Sequence, residues 1–167
     1  TEPQDVWQQW KDMNELMNAY SGTGNRDNQK KMYQIQEKME ELFFSIPEED
    51  AIADGHMEEY RKMGNDAYRM RISRLIEQNL DRSDDEKFLQ YIQEIAAEGE
   101  AFVLKHFDRD KPEVLGSFSQ IEAYYNSVSS IFSIIGNWKN VKYYRQKSAE
   151  ESVRRIRQKE AEAKQTG

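Results

Sequence analysis

Residues 83–106, SDDEKFLQYIQEIAAEGEAFVLKH, decide the fold class. Phe88, Ile92, Ile95, Phe102 and His106 recur at spacings of four, three, seven and four, which puts them on one face of a helix. Ahead of them, Ser83-Asp84-Asp85-Glu86 reads as a capping box. The Ser83 hydroxyl accepts an amide N–H three residues on, and the Glu86 carboxylate accepts the Ser83 N–H.

The same grammar extends in both directions. Downstream, Asp110-Lys111-Pro112-Glu113 is a further box, expected to open a helix carrying Val114, Phe118, Ile121, Tyr125, Val128, Phe132 and Ile135. Gly136-Asn137 interrupts it, and a last helix is expected from Val141 to about Ala163, anchored by Val153 and Ile156. Upstream, Ser45-Ile46-Pro47-Glu48 is a third box, with Pro47 in the first turn, where its missing N–H is harmless. The acidic Glu48-Glu49-Asp50 suits the positive end of the helix dipole. That helix is expected to reach about Leu80, with a break at Gly64-Asn65.

Two helices precede it. One, from about Pro3 to Tyr20, aligns Val6, Trp10, Met13, Met17 and Tyr20, and the Ser21–Asn25 stretch stops it. The next, about Asp27 to Phe44, aligns Met32, Ile35, Met39 and Leu42, with Ile46 just beyond it. The predicted architecture is therefore all-α: an elongated, antiparallel helical bundle of five to six helices. Residues 1–140 form the bundle core in this reading. Residues 141–167 form a basic C-terminal helix, packed on or extending from the core and partly solvated.

The fifth helix stands apart, because Glu122 is the only charge between Val114 and Trp138. Such a segment has little to offer water, so a central helix surrounded by the others is expected. The functional rival is a partner-binding or membrane-surface helix.

Composition agrees with this reading. The chain has 167 residues, 37% hydrophobic and 33% charged, which is polar for a compact globule. Regular apolar spacing and the 7 Phe, 9 Tyr and 3 Trp argue against disorder. Residues 141–167 hold eight Lys/Arg and four Glu, a net of +4, leaving −11 of the overall −7 for residues 1–140. An acidic body argues against general nucleic-acid binding, which depends on neutralising phosphates. No run of about 18 apolar residues exists to span a bilayer.

The chain has no Cys, which removes disulfides, thiolate metal sites and Cys nucleophiles. With a start at Thr1 rather than Met, this favours an extracytoplasmic setting, periplasmic or secreted, over the cytoplasm.

Reaction chemistry is sparse. A di-iron bundle needs Glu three residues before each inward His, but Ala53 and Val103 stand before His56 and His106. His56 reads as an exposed helix-edge residue and His106 as a half-buried one bonding a terminal carbonyl. Met13 and Met17 have the spacing of Cu(I) ligands, which is also core spacing. Gly116-Ser117-Phe118-Ser119 lacks the second glycine of a nucleophile elbow. Gly22-Thr23-Gly24 is too short for a phosphate cradle. No cofactor or metal is expected.

Two constellations suggest a binding site. Arg69, Arg71 and Arg74 cluster beside Tyr68, a set able to grip a carboxylate or phosphate. By the 100° rule Arg71 and Arg74 point away from Arg69, so snorkelling and surface salt bridges are the plainer expectation. Trp7, Trp10 and Trp138, with Tyr124-Tyr125 and Tyr143-Tyr144, could line an aromatic pocket.

The functional expectation is a non-enzymatic protein–protein interaction module, adaptor- or immunity-like, whose acidic surface docks a basic or helical partner. The alternative is an extracytoplasmic helical ligand-binding or sensor domain. Heptad-like stripes suit either internal packing or a coiled-coil homodimer.

Overall fold

The computed structural model describes residues 5–112, 114–115 and 118–166. The chain is an all-α helical bundle protein with seven α-helices among the described residues, rather than five or six. They are α1 (Val6–Tyr20), α2 (Arg26–Ser45), α3 (Glu48–Ala53), α4 (Met57–Glu77), α5 (Glu86–His106), α6 (Gln120–Ile134) and α7 (Trp138–Thr166), with a 3-10 turn at Leu80–Arg82. Among the described residues no helix is long and apolar enough to cross a membrane.

The chain divides into two compact units, Thr1–Arg74 and Leu75–Gly167. The boundary drawn at residue 140 from the charge pattern falls inside α7, in the second unit.

In the first unit, the Asp5 carboxylate caps α1 by accepting the Trp7 N–H at 2.9 Å. Gly22 and Gly24, both at positive φ, turn the chain into α2, which Asn25 caps through the Asp27 N–H at 2.8 Å. Trp7 and Trp10 on α1 and Ile35, Met39 and Phe43 on α2 are buried, as are Tyr60, Met63, Ala67 and Ile72 on α4.

The helix expected from Ser45 to Leu80 is two helices, and the break is not where it was expected. At the end of α3, Gly55 N–H donates to Ile52 O and His56 N–H to Ala51 O, a Schellman stop that uses Gly55 at φ 73°. By contrast, α4 runs through Gly64 and Asn65, both buried, so burial outweighs the roughly 1 kcal/mol helix penalty of Gly. Ser45 ends α2 instead of capping α3, whose N-cap is Pro47.

In the second unit, Asp85 rather than Ser83 caps α5, accepting the N–H groups of Lys87 and Phe88. Phe88, Ile92, Ile95, Ala96, Gly99 and Val103 form its buried stripe. The helix expected to start near Asp110 begins only at Gln120. Val114–Leu115 and Phe118–Ser119 pair as a minimal antiparallel ladder, with Val114 opposite Ser119 and Leu115 opposite Phe118. Glu113 of the expected box lies outside the described residues, as do Pro3, Gly116 and Ser117. The capping box that does form is Ser119 with Glu122: Glu122 N–H donates to Ser119 Oγ at 3.2 Å, and Ser119 N–H to Glu122 Oε2 at 2.9 Å.

Within this unit α6 is the central helix, packing on both α5 and α7. Ile121, Tyr124, Tyr125, Val128, Ile131 and Phe132 are all buried. Contact with α5 is close because Gly99 offers no side chain where the Tyr124 ring lies. A second Schellman stop at Gly136 (φ 68°) ends α6, as the Gly136-Asn137 signal predicts.

The first half of α7 lies against α6 through Val141, Tyr144, Ser148 and Glu151. The anchors expected from sequence, Val153 and Ile156, are instead 45% and 48% exposed. Residues 159–166 are exposed throughout, so the last helix is partly solvated.

Candidate functional site

The three arginines singled out in the sequence are divided by the fold. Arg69 stays local, donating to Asp66 Oδ1 at 2.6 Å one turn back. Arg71 and Arg74, one turn apart on α4, converge because Glu40 rises from α2 between them. Arg74 Nη2 donates to Glu40 Oε1 at 2.8 Å and its Nη1 donates to Oε2, while Arg71 Nε reaches Oε1 at 3.1 Å. Arg71 also lies 4.1 Å above the Phe44 ring, a cation–π contact. Glu40 is 1% exposed and Arg74 6%, so this is no surface salt bridge.

The cluster does not amount to an anion site. Arg74 spends its fork on Glu40, and Arg71 spends Nε on the same carboxylate. What it does is tie α2 to α4. Glu40 escaped the sequence reading, although a carboxylate beside Met39 at the edge of an apolar stripe was the available signal.

Trp7 and Trp10 are core residues of the first unit, 5% and 7% exposed. Trp7 stacks on His56 with ring centroids 4.8 Å apart, and His56 Nδ1 faces Glu59 at 3.4 Å. His56 is therefore a half-buried packing residue rather than a free helix edge. His106 is also half-buried, tilted against the Phe102 ring at 4.3 Å. In the second unit, Tyr124, Tyr125 and Tyr144 pack with Phe132 as core, the Phe132 and Tyr144 rings stacked at 5.8 Å. Trp138 is 67% exposed. Of the expected tyrosine lining, Tyr124, Tyr125 and Tyr144 are thus packed interior, while Tyr143 is 43% exposed.

That interior carries its own polar network. Burial pushes the Glu122 carboxyl up, but hydrogen bonds from Arg155, Ser152 and the Ser119 backbone and hydroxyl outweigh it and hold the group at about 2. Arg155 Nε donates to Oε2 at 2.7 Å, which fastens α7 to the start of α6. Tyr125 donates to Glu100 Oε2 at 2.7 Å. Burial, and then that carboxylate, drive its phenol well above the ordinary tyrosine range. Tyr144 is raised mainly by burial, with the Glu100 charge adding to it. Arg109 pairs with buried Glu151. The carboxylates of this network, Glu100, Glu122 and Glu151, are each met by a donor inside the fold. Among the described residues, no group of three or more His, Asp or Glu is placed to hold a metal.

What faces solvent is different in character. On α3, Ile52 is 60% exposed, and Glu49 and Asp50 on the same helix and Asp54 at its C-cap are exposed as well. Among the described residues these three make no side-chain hydrogen bond or ion pair. From Glu48 to Tyr60 there are six acidic residues and no Lys or Arg. On α7, a surface concavity of about 730 Å³ opens beside Ala149, Val153, Arg154 and Arg157, with Arg109 at its rim.

Comparisons with protein-family models, with curated proteins and with solved structures find no match for the chain.

Proposed function

We propose that the chain is a non-enzymatic helical protein–protein interaction module, adaptor- or immunity-like, that docks a basic partner through the acidic face of α3. The observation that carries this reading is Ile52, 60% exposed on a short helix whose neighbours in sequence, Glu49, Asp50 and Asp54, are exposed and, among the described residues, without an ion pair. An apolar centre with a charged rim is the anatomy of a docking patch, in which the centre supplies desolvation and the rim supplies steering. Ile52 sits on a short helix held at both ends, by Pro47 at its start and the Gly55 stop at its end. The patch is therefore presented with little conformational entropy left to lose.

Capture from an extract of the source cell, with the purified chain as bait, tests this. A basic protein retained at about 0.1 M salt and released toward about 1 M, as the Debye length falls from about 10 to about 3 Å, supports the reading. Retention of no basic protein at low salt overturns it.

A further inference from the structure

The outward side of α7 is a second docking surface, and we infer that it takes an amphipathic helix whose apolar stripe is flanked by Asp and Glu. Ala149, Val153, Ile156 and Ala163 recur at four, three and seven residues on the side of α7 away from the buried Val141, Tyr144, Ser148 and Glu151. All four are exposed, Val153 and Ile156 to nearly half of their surface. That spacing is a heptad seam without its partner strand, with Glu160 at the remaining seam position.

Charge selects the occupant. The charged positions flanking the seam are Arg145, Glu150, Arg157, Lys159 and Lys164, four cations against one anion, all exposed. Among the described residues none of these four cations makes an ion pair. The concavity beside Val153 is lined by Arg157 and Glu150 and by Arg109 and Arg154, the last two already paired with Glu151. In coiled coils the flanking charges set partner choice, so this seam favours an acidic strand. A second copy of the chain would set these cations against cations. A nucleic-acid backbone would meet Glu150, Glu160 and Glu162 along the same helix and gain no use of the apolar seam. The second unit thus presents the opposite charge preference to α3, as an adaptor with two independent clients requires.

The inference rests on the interaction-module reading, but the two fail separately: a basic protein held by α3 is retained whether or not the α7 seam is intact. The test uses the full chain and two labelled synthetic peptides of about three heptads, with Leu at a and d and either Glu or Lys at e and g. Fluorescence anisotropy is expected to show the Glu peptide binding and the Lys peptide not binding. V153E/I156E is expected to weaken the Glu peptide about tenfold or more. R157E/K159E, at exposed positions, is expected to reverse the preference toward the Lys peptide. An unchanged thermal melt confirms that both variants are folded. Equal binding of both peptides, binding of neither, or a dimer of the chain alone that V153E/I156E dissolves would each overturn the inference.

Discussion

Arg74 of α4 clasps Glu40 of α2 through both carboxylate oxygens, 34 residues apart in sequence and shielded from water. Burying two charges costs several kcal/mol each, and only a complete set of partners offsets it. Arg71 completes the set by bonding Glu40 Oε1.

Removing one partner therefore exposes the whole cost. Glu40→Ala should lower the unfolding free energy by about 3–5 kcal/mol, because it strands a buried guanidinium. The double change Glu40→Leu with Arg74→Met should recover most of that loss. Urea unfolding of the three proteins checks it; if the double variant is no more stable than Glu40→Ala, the loss does not come from stranding the Arg74 guanidinium.

Glu122 makes the second unit acid-sensitive. Its folded-state pKa, about 2, lies below the ordinary 4.5, so it contributes stability that is full above 4.5 and lost as pH falls from there toward 2. Glu122→Gln should be less stable than wild type at neutral pH and should lose less stability over that interval. Urea midpoints measured at a series of pH values decide it. Parallel pH curves for the two proteins would remove Glu122 from the explanation.

The raised phenols work in the opposite direction. Tyr125, Tyr143 and Tyr144 are raised above the ordinary 10, chiefly by burial and then by Glu100. Their neutral forms contribute stability that is full below about 10 and lost as pH climbs through the folded-state values. Ultraviolet titration should show the other tyrosines ionising first, with the last phenolates appearing together with loss of helical circular dichroism. Ionisation of all nine tyrosines near 10 with the fold intact would contradict the packing described for α6 and α7.

Gly99→Ala separates propensity from packing. Alanine favours a helix interior by about 1 kcal/mol. An added Cβ, however, would lie 2.8 Å from Tyr124 Cζ and closer still to its hydroxyl. Overpacking of this kind costs about 1–3 kcal/mol, so a net loss of thermal stability is expected. A gain would mean that α5 and α6 lie further apart than described.

The all-α architecture was legible because it depends on periodicity, and Phe88, Ile92 and Ile95 keep theirs wherever they pack. The central place of α6 was legible from its single charge. Boundaries were less so. Ser45 and Ser83 have the right spacing to be caps, yet Pro47 and Asp85 take those positions. The true box at Ser119 and Glu122 was masked by an apolar stripe that began earlier, at Val114 and Phe118, and these two residues lie in the short strands instead. The spacing of Val153 and Ile156 predicts anchors because apolar periodicity marks a face without saying whether anything covers it. The Glu40 cluster was out of reach for another reason. A helix wheel gives the direction of Arg71 and Arg74 along one helix but not the carboxylate arriving from α2.

The claim that the chain acts by docking through α3 meets its most direct test in a comparison of baits. Wild type and the triple variant Glu49→Lys, Ile52→Asp, Asp50→Lys would be used to capture from the same extract at low salt, read by quantitative mass spectrometry, with equal thermal melts required of both. The account predicts a basic protein enriched on the wild type and lost from the variant. Equal recovery of that protein on both baits would contradict it.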